Sequence, residues 1–112
     1  MRQDDAIRLR HMLDSAQEAI SFASGKKREN LDHDRMLVLS LVKDIEIIGE
    51  AATKISENCR QEHPEIPWKE IVTMRNRLIH GYFDINLDIV WKTITEELPP
   101  LILELQRATA FP

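Results

Sequence analysis

The run from Met74 to Phe83 reads Met-Arg-Asn-Arg-Leu-Ile-His-Gly-Tyr-Phe, setting Arg75, Asn76, Arg77, His80 and Tyr82 beside an apolar stripe. These side chains suit a phosphodiester. An arginine offers a permanently charged fork for phosphate oxygens, and a histidine titrates close enough to neutrality to move protons. Cleavage of RNA by its own 2′-hydroxyl needs a base, an acid and a stabiliser for the charged phosphorane, and one histidine cannot readily be base and acid in the same step. Asn76 and His80 share a helical face, whereas Arg75 and His80 diverge by about 140° on an ideal helix. Two arrangements would let them converge: a helix ending near Ile79 with Gly81 turning the chain, or a second copy of the motif across a two-fold axis, where the patch must complement itself. The plainer reading makes Arg75 a surface ion pair and His80 a helix cap. No nucleophile triad, phosphate loop or zinc-ligand spacing competes for the chemistry.

The elements that must position this run are helices. Ala6, Leu9, Leu13, Ala16, Ile20 and Ala23 recur at steps of three and four and predict a first helix, with Asp4 or Asp5 as its cap and the polar stretch from Ser24 to Asn30 as its end. Val38, Leu41, Ile45, Ile48, Ala52 and Ile55 predict a second from about Asp32 to Glu57. Leu37, Leu39, Val42 and Ile47 widen its stripe, so it should be central and pack on more than one neighbour. A polar link with Pro64 leads to Pro67, expected in the first turn of a third helix bearing Ile71, Val72, Met74, Leu78 and Ile79, with Gly81 closing it. Asn86 is placed to cap a last helix through Leu87, Val90, Ile94, Leu98, Leu101, Leu105 and Ala108, which Pro99-Pro100 must kink or split. The expected architecture is all-α: a single domain over residues 1–112, an antiparallel bundle of four to five helices with a kinked last helix.

Composition narrows the class. Fifteen Lys and Arg against 19 Asp and Glu give a net charge of −4, which argues against a non-specific nucleic-acid coat. From Trp68 to Tyr82 the balance reverses, with Lys69, Arg75 and Arg77 against Glu70. Lys26-Lys27-Arg28 reads as a solvated loop. The lone Cys59 fits a reducing cytosol, and neither a signal peptide nor a membrane span is present, so a cytoplasmic protein is expected. His11, His33 and His63 are scattered near carboxylates and read as surface residues, so no metal or cofactor is expected. Trp68 and Trp91 read as core or dimer-interface packing, and Glu50 as a partner that orients an arginine.

Arg75-Asn76-Arg77-Leu78-Ile79-His80-Gly81-Tyr82 resembles the R-x4-H-x-Y form of the HEPN superfamily signature, in a setting similar to the HepT-like toxin branch. Ile47-Ile48-Gly49-Glu50-Ala51, the Ile66-Pro67-Trp68 approach to the third helix, and Asp84-Ile85-Asn86 before Val90-Trp91 and a Leu98-Pro99 kink fit the same pattern. The resemblance implies the toxin of a type II toxin–antitoxin pair: a homodimeric, metal-independent ribonuclease. Its neutralising partner would be a minimal nucleotidyltransferase antitoxin, assembled with it as a higher hetero-oligomer and able to transfer AMP to Tyr82. Arg75 and His80 would inherit the catalytic roles, and Asn76 a supporting one. The alternative is a non-catalytic module serving as the binding or regulatory half of a nucleotidyltransferase complex, since one fold can host both.

Overall fold

Leu9, Met12, Leu13, Ala16 and Ala19 are buried along one side of α1 (Gln3–Ala23), the helix that begins the chain in the computed structural model. The structure describes residues 1–80 and 84–110, except for the side chains of Ile79 and His80. The expected stripe is present, but Ala6 is exposed and Asp5 is turned inward in its place. Gly25, at φ 75, supplies the left-handed turn after α1 that an L side chain would resist.

The expected second helix is divided at both ends. A single turn, α2 (Asn30–His33), precedes α3 (Arg35–Thr53), and α4 (Glu57–Glu62) follows it. Asp34 leaves helical geometry at φ −121 and ψ 88, and its carboxylate accepts from the Leu37 N–H at 3.0 Å, capping α3. Ser56 does the same for α4, accepting from the Cys59 N–H at 3.2 Å. Apolar periodicity continues through both breaks, with Leu31 and Ile55 buried, but short polar side chains bind the backbone and end the helix locally.

Asp5 does not cap α1, as the sequence suggested for Asp4 or Asp5. Its carboxylate accepts from the Ser56 N–H at 2.8 Å and from the Ser56 hydroxyl at 2.6 Å, so the start of α1 lies against the end of α3 and the two run antiparallel. Burial opposes the charged form of Asp5, yet the two Ser56 bonds, with Arg2 and the amino terminus, hold the carboxyl below its ordinary range.

The central position expected of α3 is observed, for it packs on α1 and on α5 (Trp68–His80), and α1 also carries the chain's last helix, α7 (Leu98–Thr109). Leu41, Val42, Ile45, Ile48 and Ala52 are buried between these neighbours. Each such aliphatic side chain larger than alanine contributes about 1.5–3 kcal/mol by leaving water. Pro67 stands one residue outside α5, where its carbonyl accepts the first helical bond, from the Ile71 N–H at 3.0 Å. The indole N–H of Trp68 donates to the His63 carbonyl at 3.0 Å, fixing the direction in which α5 departs. The expected closure of this helix by Gly81 lies outside the described residues.

Asn86 caps α6 (Leu87–Lys92), accepting from the Ile89 N–H at 3.1 Å. The expected kink takes the form of a π-helical turn over Thr93–Glu97, followed by α7 (Leu98–Thr109). Pro99 and Pro100 bring no N–H and their rings crowd the preceding carbonyls, so the widened turn sits where they prevent regular bonding. Ile94, Leu98, Leu101, Leu105 and Ala108 remain buried across it. The bundle measures 43 × 28 × 19 Å. Among the described residues there is no strand, and no helix is long and apolar enough to cross a membrane.

Candidate functional site

Arg75 is held where α5 crosses α3 at Gly49. A Cβ at Gly49 would stand 2.1 Å from the Arg75 Cβ and 2.6 Å from its Cγ, so the stem of the arginine occupies the space a side chain would fill. A mid-helix glycine weakens α3 by about 1 kcal/mol relative to alanine, and the close crossing is what it permits.

From that crossing the guanidinium reaches the next residue of α3. Arg75 Nη2 donates to Glu50 Oε2, and Arg75 Nη1 donates to Asn76 Oδ1 at 2.6 Å. Lys54 Nζ stands 3.8 Å from the other Glu50 oxygen. The hydrogen bond and the charge of Arg75 hold the Glu50 carboxyl below its ordinary range, helped by Lys54 against a small effect of burial. The Arg75 side chain is 23% exposed and that of Glu50 50%. Two of the five guanidinium N–H groups are thus committed, and the buried Nε has no partner among the described residues. A fixed, partly open guanidinium with spare donors is suited to an oxyanion.

The guanidinium opens into a cleft of about 320 Å³ formed by α1, α3 and α5, with Arg8, His11, Lys43, Glu46 and Glu50 as its other polar lining. On the other side of α5 a second cleft of about 320 Å³ is walled by Ile45, Ile48, Ile71 and Met74 and rimmed by Glu70, Glu96 and Glu97.

Of the residues singled out from the sequence, Arg75, Asn76 and Glu50 are brought together, and the orienting contact expected of Glu50 is present. The backbone of His80 is the last residue of α5, so the helix continues past Ile79 and positions 75 and 80 lie about 140° apart around one axis. The His80 side chain and Tyr82 lie outside the described residues. Arg8, His11 and Lys43 were not anticipated in this cleft. Their signal, Arg8 and His11 three apart and Lys43 in phase with Glu50, becomes legible only once α1 and α3 are known to be neighbours. His63 Nδ1 lies 3.5 Å from Glu65, and among the described residues no three His, Cys, Asp or Glu side chains form a metal-holding group.

Geometry defines the class as an all-helical bundle that presents an ion-paired arginine on a helix keyed into its central helix. The sequence profile of the family described as "Ribonuclease HepT-like" matches residues 12–108. A protein of Caldanaerobacter subterraneus subsp. tengcongensis named "Putative RNase TTE0752" is 40% identical over 93 residues, 83% of each chain. One of Methanocaldococcus jannaschii named "Putative RNase MJ1380" is 33% identical over 105 residues, 94% of this chain and 96% of its own. "Probable ribonuclease HepT" of Thermococcus cleftensis is 41% identical over 68 residues, 61% of this chain and 62% of its own. No solved structure matches. The chain belongs to the HepT-like ribonuclease family, within the HEPN superfamily.

Proposed function

We propose that the chain is the toxin of a type II toxin–antitoxin pair and cleaves RNA without a metal, with Arg75 binding the scissile phosphate and His80 transferring protons. The observation that carries this reading is the Arg75–Glu50 ion pair seated over Gly49, which fixes a phosphate-binding group before substrate arrives. A base takes the proton from the 2′-hydroxyl and the oxygen attacks phosphorus. Arg75 stabilises the charge that accumulates on the phosphorane. The 5′-oxygen then leaves with a proton from the acid, giving a 2′,3′-cyclic phosphate and a free 5′-hydroxyl.

Two copies of the chain supply both proton-transfer groups in this reading. Positions 75 and 80 diverge on one helix, so a two-fold axis beside α5 gives a cleft with two Arg75 and two His80. Such an interface needs at least about 1,000 Å² of buried area.

Neutralisation falls to a minimal nucleotidyltransferase antitoxin that moves AMP from ATP to the Tyr82 hydroxyl, releasing pyrophosphate. The added charge would compete with RNA phosphate for Arg75. A second reading, the non-catalytic half of a nucleotidyltransferase complex, draws its support from the net charge of −4.

Arg75→Ala and His80→Ala test the catalytic reading. Each should lower cleavage of RNA by at least about 10²-fold and abolish growth arrest, with the helical circular-dichroism spectrum retained. Cleavage by His80→Ala at the wild-type rate rejects it and favours the non-catalytic module.

A further inference from the structure

Arg8, His11 and Lys43 come from two helices and line the same cleft as Arg75, though none belongs to the arginine–histidine motif. Among the described residues, neither Arg8 nor Lys43 has an ion-pair or side-chain hydrogen-bond partner. Arg10 pairs with Asp14, Arg28 with Asp32 and Asp88, and Arg107 with Glu104, whereas Arg35, Lys69 and Lys92 also have no ion pair among the described residues, so what sets Arg8 and Lys43 apart is their place in one cleft beside Arg75. In a molecule of net charge −4, this cleft therefore sets three cations, Arg8, Lys43 and Arg75, against Glu46 and Glu50, and Glu50 is bound to Arg75.

The dimensions exceed one phosphate group. Lys43 and Glu50 are two turns apart on α3, about 10 Å along the helix axis, and Arg8 and His11 form the facing wall on α1. Ile47, between Lys43 and Glu50, and Ala51, just beyond Glu50, complete the α3 lining as an apolar floor on which a sugar or base edge can rest.

We infer that this cleft is an RNA-backbone subsite in which Arg8, His11 and Lys43 hold the single strand flanking the phosphate bound at Arg75. The inference rests on the reading of RNA as substrate. The motif performs the chemistry in this arrangement, and the α1–α3 wall determines how much strand beyond the scissile bond contributes to affinity. Contacts of this kind neutralise backbone charge without reading sequence, and release counterions when they form.

The test uses the double variant Arg8→Gln/Lys43→Gln in the full chain, with its melting temperature as a check on folding. Binding of a fluorescein-labelled, single-stranded oligonucleotide made uncleavable by 2′-deoxy substitution is measured across a salt series. The double variant should bind roughly tenfold more weakly at 0.1 M salt, with a log–log salt slope shallower by about 1.4, which is about 0.7 per lost phosphate contact. Cleavage of a dinucleotide, which offers only the scissile phosphate, should be unchanged, while KM for a longer RNA rises at constant kcat. Wild-type affinity and salt slope in the double variant overturn the inference and leave the Arg75/His80 reading intact. Equal loss on dinucleotide and long RNA also overturns it, because the residues would then act at the scissile phosphate. A wild-type chain that neither binds nor cleaves RNA instead overturns the reading on which the inference rests.

Discussion

Gly49 and Arg75 meet without room for another atom between them: a Cβ on Gly49 would lie 2.1 Å from the Arg75 Cβ. The obstructing group is the root of a side chain, which cannot swing aside as its tip could. Adding one methyl group must therefore separate α3 from α5. Overpacking of this kind destabilises by about 1–3 kcal/mol, and with the root of a side chain only 2.1 Å away the upper part of that range applies, which exceeds the roughly 1 kcal/mol that alanine adds as a better helix former. Gly49→Ala should lower the melting temperature by about 5 °C or more and displace the Arg75 guanidinium from Glu50. RNA cleavage should fall further than the loss of folded protein accounts for. Thermal melts and cleavage rates on the same preparations check this, and a variant as stable and active as the parent would show that the close crossing has no role.

Glu50 is expected to position Arg75 rather than to touch RNA. Removing the side chain frees the guanidinium, whereas Glu50→Gln keeps an acceptor and loses the charge. Glu50→Ala should therefore be less active than Glu50→Gln, with both folded. The pair's stabilisation is present above the ordinary carboxylate range and is lost only as pH falls through the depressed pKa of Glu50. From about pH 5 to 8 the pair does not titrate, so Glu50→Gln should lower the pH–rate profile in that window without changing its shape. A changed profile would make Glu50 a proton-transfer group.

Tyr82 is the only tyrosine in the chain, which gives a tyrosine-directed modification a single address. Co-expression with the proposed nucleotidyltransferase antitoxin, followed by intact-mass measurement, should show addition of one AMP on wild-type protein and none on Tyr82→Phe. Toxicity of Tyr82→Phe should no longer be relieved by the partner. An unmodified but neutralised wild-type chain would assign inhibition to steric cover of the cleft.

The helical class, the buried stripes and the Asn86 cap were legible because each depends on local periodicity or on a side chain bonding its own backbone. Breaks at Asp34 and Ser56 were hidden by apolar spacing that runs through them, although both residues are of the capping type. Local sequence makes Asp5 a cap because its actual partner, Ser56, is 51 residues away in sequence. The same limit applies to the site. Arg75, Asn76 and Glu50 stood out within short segments, whereas Arg8, His11 and Lys43 join them only through the packing of α1 on α3. Asp44 is hidden in the sequence for a similar reason. In sequence it stands between Lys43 and Ile45, and nothing local shows that its side chain is buried beside Glu18 of α1.

Asp44 is 1% exposed, and its Oδ2 has no hydrogen-bond partner among the described residues. Burial, then a hydrogen bond and charge repulsion from Glu18 on α1, push its pKa up to about 7. Below its ordinary value of 3.8 the carboxyl is protonated whether the chain is folded or unfolded, and the pH has no leverage through this group. Between 3.8 and about 7 the folded state holds a proton that the unfolded state has lost, so stability must fall as pH rises across that window and level off above it. At 1.36 kcal/mol per pH unit the whole effect is on the order of a few kcal/mol. Asp5, held below the ordinary range, acts in the opposite sense and only under more acidic conditions, so it does not offset the trend above pH 5. Asp44→Asn keeps the shape and removes the ionisation. It should raise the melting temperature at pH 8, change it little at pH 5, and flatten the decline between them. Glu18→Gln should flatten it in part, by removing the repulsion while leaving the burial. Urea unfolding at pH 5, 6.5 and 8 measures the slope directly, and a parent protein equally stable at all three would mean that Asp44 is not held in its neutral form.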